Sequence, residues 1–175
     1  MKYFAFFSFL LIFAFSCSED THAQAEDNLF KIYLVRHSEK NIGSGHNSNP
    51  SLTPCGVRRS EYLKNFLKDV NLDVIYSTDY IRTLSTARPT ANSKGLEIEK
   101  YNAEELKAFS KLLLNKKNNA LVIGHSNTTG VLAGLLVEKK IGAFDSSIYD
   151  RIYKVVVYKN KARLQLLHMT MDCKD

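Results

Sequence analysis

The sequence predicts a three-layer α/β/α sandwich built around a mainly parallel β-sheet. Segments typical of strands and of helices alternate along most of its 175 residues, with no internal repeat. Such alternation places helices on both faces of a parallel sheet, and this length suits a single domain. Apolar residues make up 45% of the chain, which is ordinary for a globular protein with a hydrophobic core.

The elements of the first half follow from apolar runs and the signals at their ends. Residues 30–35 are rich in strand formers, and a loop of Asn, Gly and Ser follows at 38–51. Thr53 is the expected N-cap of the next helix, and Pro54 stands in its first turn. A second apolar run at 72–76 predicts the next strand.

The later elements follow from the same periodicities. Residues 77–79 are expected to cap a second helix with Arg82 in its first turn. Pro89 is expected to bend or end this helix, because a proline inside a helix loses a hydrogen bond and clashes with the preceding turn. The remaining predicted elements are an edge strand at 96–101, a helix at 103–116, a buried strand at 120–123, a helix at 127–138 capped by Asn127, and an antiparallel hairpin of 152–158 with 162–169.

The amino-terminal segment has the pattern of an export signal. Lys2 precedes an apolar run at 3–15, which as a helix spans about 20 Å of a hydrocarbon core that is about 30 Å thick. A basic start followed by a short apolar run favours export over a transmembrane span. Residues 1–16 are therefore predicted to be a signal peptide.

Two cleavage sites compete at the end of this segment. The Ala-Gln-Ala sequence at 23–25 matches an ordinary signal peptidase site but lies far beyond the apolar run. Cys17 follows the run closely and resembles the acylated cysteine of a bacterial lipoprotein, which is the interpretation we favour. The protein is then expected on the periplasmic or cell-surface side of a membrane, held by lipid on Cys17 with 17–28 as a polar tether.

The remaining cysteines raise the question of a disulfide, and the net charge bears on which partners the protein could bind. Cys55 and Cys173 could pair in an exported protein, but two free, buried thiols are slightly favoured. The net charge of +6 is spread over scattered lysines with no aromatic interleaving. Nucleic-acid binding therefore gains no support, and a membrane is expected to be contacted only through the lipid anchor.

Charged and imidazole side chains follow three of the predicted strands. Arg36 and His37 end the first strand, Arg82 follows the second, and His125 follows the buried strand at 120–123. Because ligand sites lie beyond the carboxyl ends of parallel strands, we expect these side chains to meet at one edge. Two guanidiniums hold a phosphoryl group from two sides, and an imidazole nitrogen can carry it covalently.

The motifs around these residues resemble those of a known family. The arrangement is similar to the histidine phosphatase superfamily, also called the phosphoglycerate mutase-like fold, and to its short phosphatase branch. Four stretches carry the resemblance in the family's order, although Ser38 replaces the glycine of the first. They are residues 34–40, 52–56, 77–83 and 122–127.

The resemblance implies a metal-independent phosphatase that works through a phosphohistidine. It makes His37 the nucleophile and Arg36, Arg82 and His125 the other members of a phosphate pocket. It implies a histidine phosphatase domain at 29–175, a phosphorylated substrate of unspecified type, and no metal or organic cofactor.

The proton donor to the leaving group is harder to place. The spacing in the family points to Glu104 or to Glu105, with Asp79 as a weaker candidate. Both glutamates could instead simply begin a helix, where their charge suits the helix dipole.

Three other functions compete with this one. Ser126 stands in a near match to a serine-hydrolase turn, with Asp150 and His168 following in order. A non-catalytic lipoprotein that binds phosphorylated ligands is the second alternative. A phosphoglycerate mutase-type phosphotransferase is the third, and it is disfavoured because such mutases resemble this domain but are longer.

Overall fold

The computed structural model describes residues 29–43 and 48–173, and a six-stranded sheet forms its centre. The order of the strands across the sheet is β3-β2-β4-β1-β5-β6. The strands are β1 (Leu29–Arg36), β2 (Val74–Ser77), β3 (Ile98–Lys100), β4 (Ala120–Gly124), β5 (Arg151–Tyr158) and β6 (Lys161–His168). The helices are α1 (Pro54–Phe66), α2 (Ile81–Lys94), α3 (Leu106–Lys116) and α4 (Thr129–Leu136).

The sheet is parallel over β1 to β4 and antiparallel over β5 and β6. Alternate residues of β1 face opposite layers. Ile32 and Leu34 pack in a core with residues of α3 and α4. Tyr33 and Val35 pack in a second core with residues of α1 and α2. The three-layer α/β/α sandwich with a mainly parallel sheet is therefore confirmed.

Helix α1 begins as its sequence signals predict. The Thr53 side chain accepts a hydrogen bond from the Gly56 amide at 3.0 Å, and Pro54 is the first helical residue. An amide that a helix start leaves unpaired is thereby satisfied.

Helix α2 carries Arg82 in its first turn, as predicted, but its N-cap and its end differ from the prediction. Its N-cap is Tyr80, with no side-chain capping bond, because the Asp79 carboxylate pairs with Lys100 at 2.9 Å instead. Pro89 does not end the helix, which continues to Lys94. Ala87 and Ala91, on either side of Pro89, are both buried in the core, and this packing holds the helix together across the proline.

Two other helices begin later than predicted. Helix α4 has Thr128 as its N-cap rather than Asn127. Residues 125–128 form a turn before the helix, in which the Thr128 hydroxyl accepts a hydrogen bond from the His125 amide at 2.9 Å. Helix α3 begins at Leu106 because residues 101–105 form turns after β3.

The carboxyl-terminal hairpin is confirmed. Strands β5 and β6 pair antiparallel, with Tyr158 opposite Lys161. Lys159 and Asn160 form the turn with φ values of 46° and 62°. Positive φ at both central residues is typical of the two-residue hairpin turns whose twist matches that of the strands.

Cys55 and Cys173 form a disulfide, with their Cα atoms 5.6 Å apart. The slightly favoured expectation of two free thiols is therefore wrong. The chain after β6 returns to α1, where Arg59 Nη1 lies within hydrogen-bonding distance of the Met169 carbonyl, and this brings Cys173 to the first turn of the helix. A cysteine pair 118 residues apart could not be matched from sequence alone.

The predicted signal peptide (1–16), Cys17 and the tether (17–28) lie outside the described residues. Within residues 29–43 and 48–173, no helix is long and apolar enough to span a bilayer.

Candidate active site

The predicted site residues meet at the carboxyl end of the parallel strands. In the register of β1 and β4, Arg36 lies opposite Gly124, and the His37 amide donates to the Gly124 carbonyl at 2.9 Å. The rings of His37 and His125 are 5.5 Å apart, centre to centre. Arg82, in the first turn of α2, is close enough to lower the pKa of both imidazoles. The sheet therefore brings all four residues together.

His37 is buried and held in one tautomer. Its side chain lies within 2.7 Å of the Ser38 carbonyl through Nδ1. A carbonyl only accepts hydrogen bonds, so Nδ1 carries the proton and Nε2 keeps its lone pair. Burial, with smaller contributions from the nearby cations, lowers the pKa of His37 to about 3, against the opposing effect of the Ser38 carbonyl. His37 is therefore neutral at pH 7, with Nε2 as a free nucleophile.

His125 is held by a chain of threonine hydroxyls. Its Nε2 is 3.0 Å from Thr78 Oγ1, which donates to Thr83 Oγ1 at 3.1 Å. The Thr83 hydroxyl in turn donates to the Thr78 carbonyl at 2.8 Å. Each hydroxyl has one hydrogen, so Thr78 Oγ1 accepts from His125 Nε2–H. Burial and then the charges of Arg82 and Arg36 lower the pKa of His125 to about 4.

The Arg36 guanidinium is fixed by the loop before β5. Its Nη1 donates to the carbonyls of Ser146 and Ile148 at 2.6 and 3.0 Å, and Cζ lies 4.0 Å from the centre of the Tyr149 ring. Its Nε is buried and has no hydrogen-bond partner within the described residues. An unpaired buried donor costs free energy, so this N–H is suited to bind an anion.

The Arg82 guanidinium shares two features with that of Arg36: it packs against a tyrosine ring, and its Nε is buried. Its Cζ lies 4.3 Å from the centre of the Tyr80 ring, and its Nε is also buried without a partner in the described part of the chain. Tyr80 in turn contacts the His125 ring edge to face at 5.1 Å. Two guanidiniums thus offer unpaired N–H groups beside two neutral imidazoles.

Comparison with known proteins agrees with this geometry. The family model of the histidine phosphatase superfamily (branch 1) matches residues 32–107, a stretch that contains Arg36, His37 and Arg82. Over this stretch the chain is similar to the histidine phosphatase superfamily. No curated protein matches it in sequence.

Solved structures of several phosphatases share the fold of this chain. A putative alpha-ribazole-5'-P phosphatase from Escherichia coli K-12 superposes with a TM-score of 0.66 at 16% identity, over 80% of this chain and 96% of that one. The protein histidine phosphatase SixA, complexed with tungstate, gives 0.66 at 17% identity, over 79% and 97%. A mycobacterial glucosyl-3-phosphoglycerate phosphatase gives 0.64 at 11% identity, over 81% and 100%.

Ser38, which stands where the family that this chain resembles has a glycine, fits the local backbone. Positive φ values at non-glycine residues occur at four described positions, and Ser38 is not one of them. Its amide donates to Thr86 Oγ1 at 2.9 Å while its carbonyl contacts His37. Serine therefore supplies the backbone groups that the site uses without conformational strain.

Four residues of the site were not predicted to be part of it. Thr78 lies in the third motif (77–83) and Thr86 lies just after it, and these positions are the only signal the sequence offers. Tyr80 and Tyr149 pack on the two guanidiniums, and the Tyr149 ring also contacts His37 at 6.2 Å between centres. Tyr149 lies outside every motif, so nothing in the sequence indicates its position.

The predicted proton donors lie on the surface. Glu104 and Glu105 are exposed just before α3, and neither carboxylate contacts the two imidazoles within the described residues. Asp79 is occupied by Lys100. The role of Glu104 as the acid stays a prediction.

The serine-hydrolase arrangement is only partly present. His168 Nδ1 and Asp150 Oδ2 do pair, at 2.9 Å. No hydrogen bond among the described residues joins this pair to Ser126. A possible metal cluster of Glu39, Cys55 and Cys173 is likewise unsuitable, because both of its sulfurs are engaged in the disulfide.

Proposed function

We propose that this protein is a phosphomonoester phosphatase that transfers the phosphoryl group to Nε2 of His37 and then to water. One observation carries the proposal. A buried, neutral imidazole presents a free Nε2 beside two guanidiniums whose buried Nε–H groups have no protein partner in the described chain. Nucleophile and anion-binding donors are the two requirements of covalent phosphoryl transfer.

In the first step the Nε2 lone pair forms a bond to phosphorus, and the bond from phosphorus to the ester oxygen breaks. The released oxygen takes a proton from a general acid, for which Glu104 is the candidate. The Nε–H groups of Arg36 and Arg82 donate to the transferring oxygens, where negative charge is spread in the transition state. The bond from Nδ1–H to the Ser38 carbonyl strengthens as His37 becomes cationic.

In the second step water attacks the phosphorus of phospho-His37. The P–N bond breaks and its electron pair returns to Nε2. The water oxygen and one of its protons leave as part of inorganic phosphate, and the other proton returns to the general acid. His125 contributes positive charge once bound phosphate favours its protonated form. No metal ion is needed in this scheme, because the protein's own cations face the transferring group.

The direct test is hydrolysis of p-nitrophenyl phosphate in the presence of EDTA. The wild-type protein is expected to turn over, whereas His37→Ala should lose activity by at least about a thousandfold, since the covalent route is removed. His168→Ala is the matched control and should retain activity. Loss in His168→Ala and Ser126→Ala with retention in His37→Ala would instead support a serine hydrolase.

Measurements of binding and of hydrolysis by the same two proteins distinguish an enzyme from a phosphate-binding protein. If wild-type and His37→Ala both bind inorganic phosphate and neither hydrolyses aryl or alkyl phosphates, the non-catalytic alternative is correct. Isothermal titration with phosphate supplies this measurement.

We further propose that the protein is exported and anchored by lipid on Cys17. The short apolar run at 3–15, which ends two positions before Cys17, supports this proposal. The intact mass of the membrane-extracted protein tests it: a chain starting at Cys17 with added acyl mass is expected, and an unmodified start after Ala25 would contradict it.

A further inference from the structure

A group of lysines surrounds a cavity with a mixed polar and apolar lining, at the end of the molecule opposite the candidate active site. The cavity measures about 570 Å³ and lies between the carboxyl ends of α3 and α4 and the β5–β6 turn. Phe30, Leu136 and Val157 form part of its apolar lining. We call its surroundings the basal lysine surface, which consists of Lys116, Lys117, Lys159, Lys161, Leu29 and Tyr158.

The basal lysine surface is both cationic and partly apolar. All four of its lysines are exposed, and Glu138 is the one carboxylate among the residues that line the cavity. Leu29 and Tyr158 face each other across β1 and β5, with 43% and 41% of their surface exposed. Positive charge around exposed apolar groups suits an anionic amphiphile rather than a purely polar anion.

The position of this surface points to a membrane. Strand β1 begins at Leu29, so residues 1–28 join the folded part at this end. Cys17 lies twelve positions before Leu29, so a fully extended tether reaches at most about 40 Å. With the lipid anchor proposed above, the start of β1, and with it the basal lysine surface, stays within about 40 Å of the lipid headgroups.

We propose that the basal lysine surface binds the headgroups of anionic phospholipids, with Leu29 and Tyr158 at the boundary with the acyl chains. Lysines near an anionic leaflet are attracted to it, and tyrosine rings are enriched at this interface. Because His37 and His125 lie at the other end of the parallel strands, the candidate active site would then face the aqueous phase. Direct lipid contact goes beyond the expected anchor and does not depend on the phosphatase chemistry.

The test uses the full chain in nanodiscs of phosphatidylcholine, with or without phosphatidylglycerol, and measures the acetylation rate of each lysine by mass spectrometry. Lys117, Lys159 and Lys161 are expected to react at least about fivefold more slowly when phosphatidylglycerol is present. High salt should remove this protection, because it screens exposed charges. Lys100, at the opposite edge, is the internal reference and should not change.

Variants separate lipid binding from simple proximity. K159E/K161E should restore the acetylation rate of Lys117, whereas the control K107E/K111E on α3 should leave its protection intact. Equal rates in the two lipids, or slow rates in phosphatidylcholine alone, would overturn the proposal. Protection by a DNA duplex but not by phosphatidylglycerol would also overturn it and assign the surface to nucleic acid.

Discussion

At the scale of single residues, one backbone carbonyl sets the chemistry of the site. The Ser38 carbonyl fixes the proton of His37 on Nδ1, and burial keeps the ring neutral, so the free lone pair stays on Nε2. A neutral, desolvated imidazole costs the protein little at neutral pH but opposes protonation. The burial that keeps His37 neutral should therefore also make the stability of the protein depend on acid pH.

The free energy of unfolding is predicted to fall as the pH drops from about 6.5 towards 3. The native state lowers the pKa of His37 from 6.5 to about 3 and that of His125 to about 4, so the unfolded chain binds more protons in this window. This contribution is complete above pH 6.5 and is lost below it. Urea unfolding across this range measures how steeply the free energy of unfolding changes with pH. In His37→Gln this slope should be smaller by the equivalent of about one proton. A slope equal to that of the wild type would contradict the lowered pKa of His37.

Thr78 is predicted to act by positioning His125. Thr78→Val removes the acceptor of His125 Nε2–H and should lower kcat by about tenfold, as expected for one lost hydrogen bond, and should shift the acid limb of the pH profile. Thr90→Val is the matched control, because Thr90 is buried and its hydroxyl has no partner among the described residues. Equal activity of the two variants would show that the Thr78 contact is only structural.

The four motif residues were predictable because parallel strand ends converge on one edge. Arg36, His37 and His125 sit where two neighbouring strands stop, so their order in the sequence is enough to bring them together. Tyr149 was not predictable. Its place against Arg36 depends on the path of the loop before β5, which is set by hydrogen bonds to Ser146 and Ile148 that leave no periodic signal.

At the scale of secondary-structure elements, α1 supports the segment that follows His37 through a close backbone approach. The Glu39 carbonyl accepts from the Thr53 amide at 2.9 Å, and the single Nε–H of Arg59 is shared between the two oxygens of the Glu39 carboxylate, at 2.8 and 2.9 Å. Gly56 is the point of contact, since a Cβ there would lie 2.3 Å from the Glu39 carbonyl oxygen. The glycine of the second motif is therefore required by packing.

Gly56→Ala is predicted to destabilise the protein by roughly 1–3 kcal/mol, because the helix and Glu39 must move apart. Turnover should fall as well, since Glu39 is two residues from His37. Gly142→Ala is the control, because a Cβ at Gly142 meets no atom within 4 Å. Denaturant unfolding and p-nitrophenyl phosphate assays measure both effects, and an unchanged stability of Gly56→Ala would refute the packing argument.

The elements that the sequence predicted poorly are those whose ends depend on tertiary contacts. Thr53 and Pro54 act locally, so the start of α1 was correct. The start of α2 was wrong because Asp79 binds Lys100, a partner 21 residues away. The helix also continues past Pro89, because burial of Ala87 and Ala91 outweighs the local effect of proline.

At the scale of the whole molecule, the disulfide closes the chain onto itself. Cys173 joins the segment after β6 to the first turn of α1, next to Arg59 and Glu39. A link that spans 118 residues constrains the unfolded chain strongly. An oxidising compartment outside the cytoplasm, as the amino-terminal pattern predicts, is where such a bond persists.

Cys173→Ser is predicted to lower the free energy of unfolding by roughly 2–5 kcal/mol. Treatment of the wild-type protein with dithiothreitol should give the same loss, and treatment of the variant should add nothing. Urea unfolding under both conditions measures this. A wild-type midpoint that does not respond to the reductant would contradict a stabilising disulfide.

The central claim is that Nε2 of His37 carries the phosphoryl group during turnover. Rapid quenching of the protein at alkaline pH after mixing with p-nitrophenyl phosphate, followed by peptide mass spectrometry, tests it most directly. The account predicts a phosphoryl group on His37 that is absent from His37→Ala and forms with EDTA present. A phosphoryl group on any other residue, or undiminished hydrolysis by His37→Ala, would contradict it.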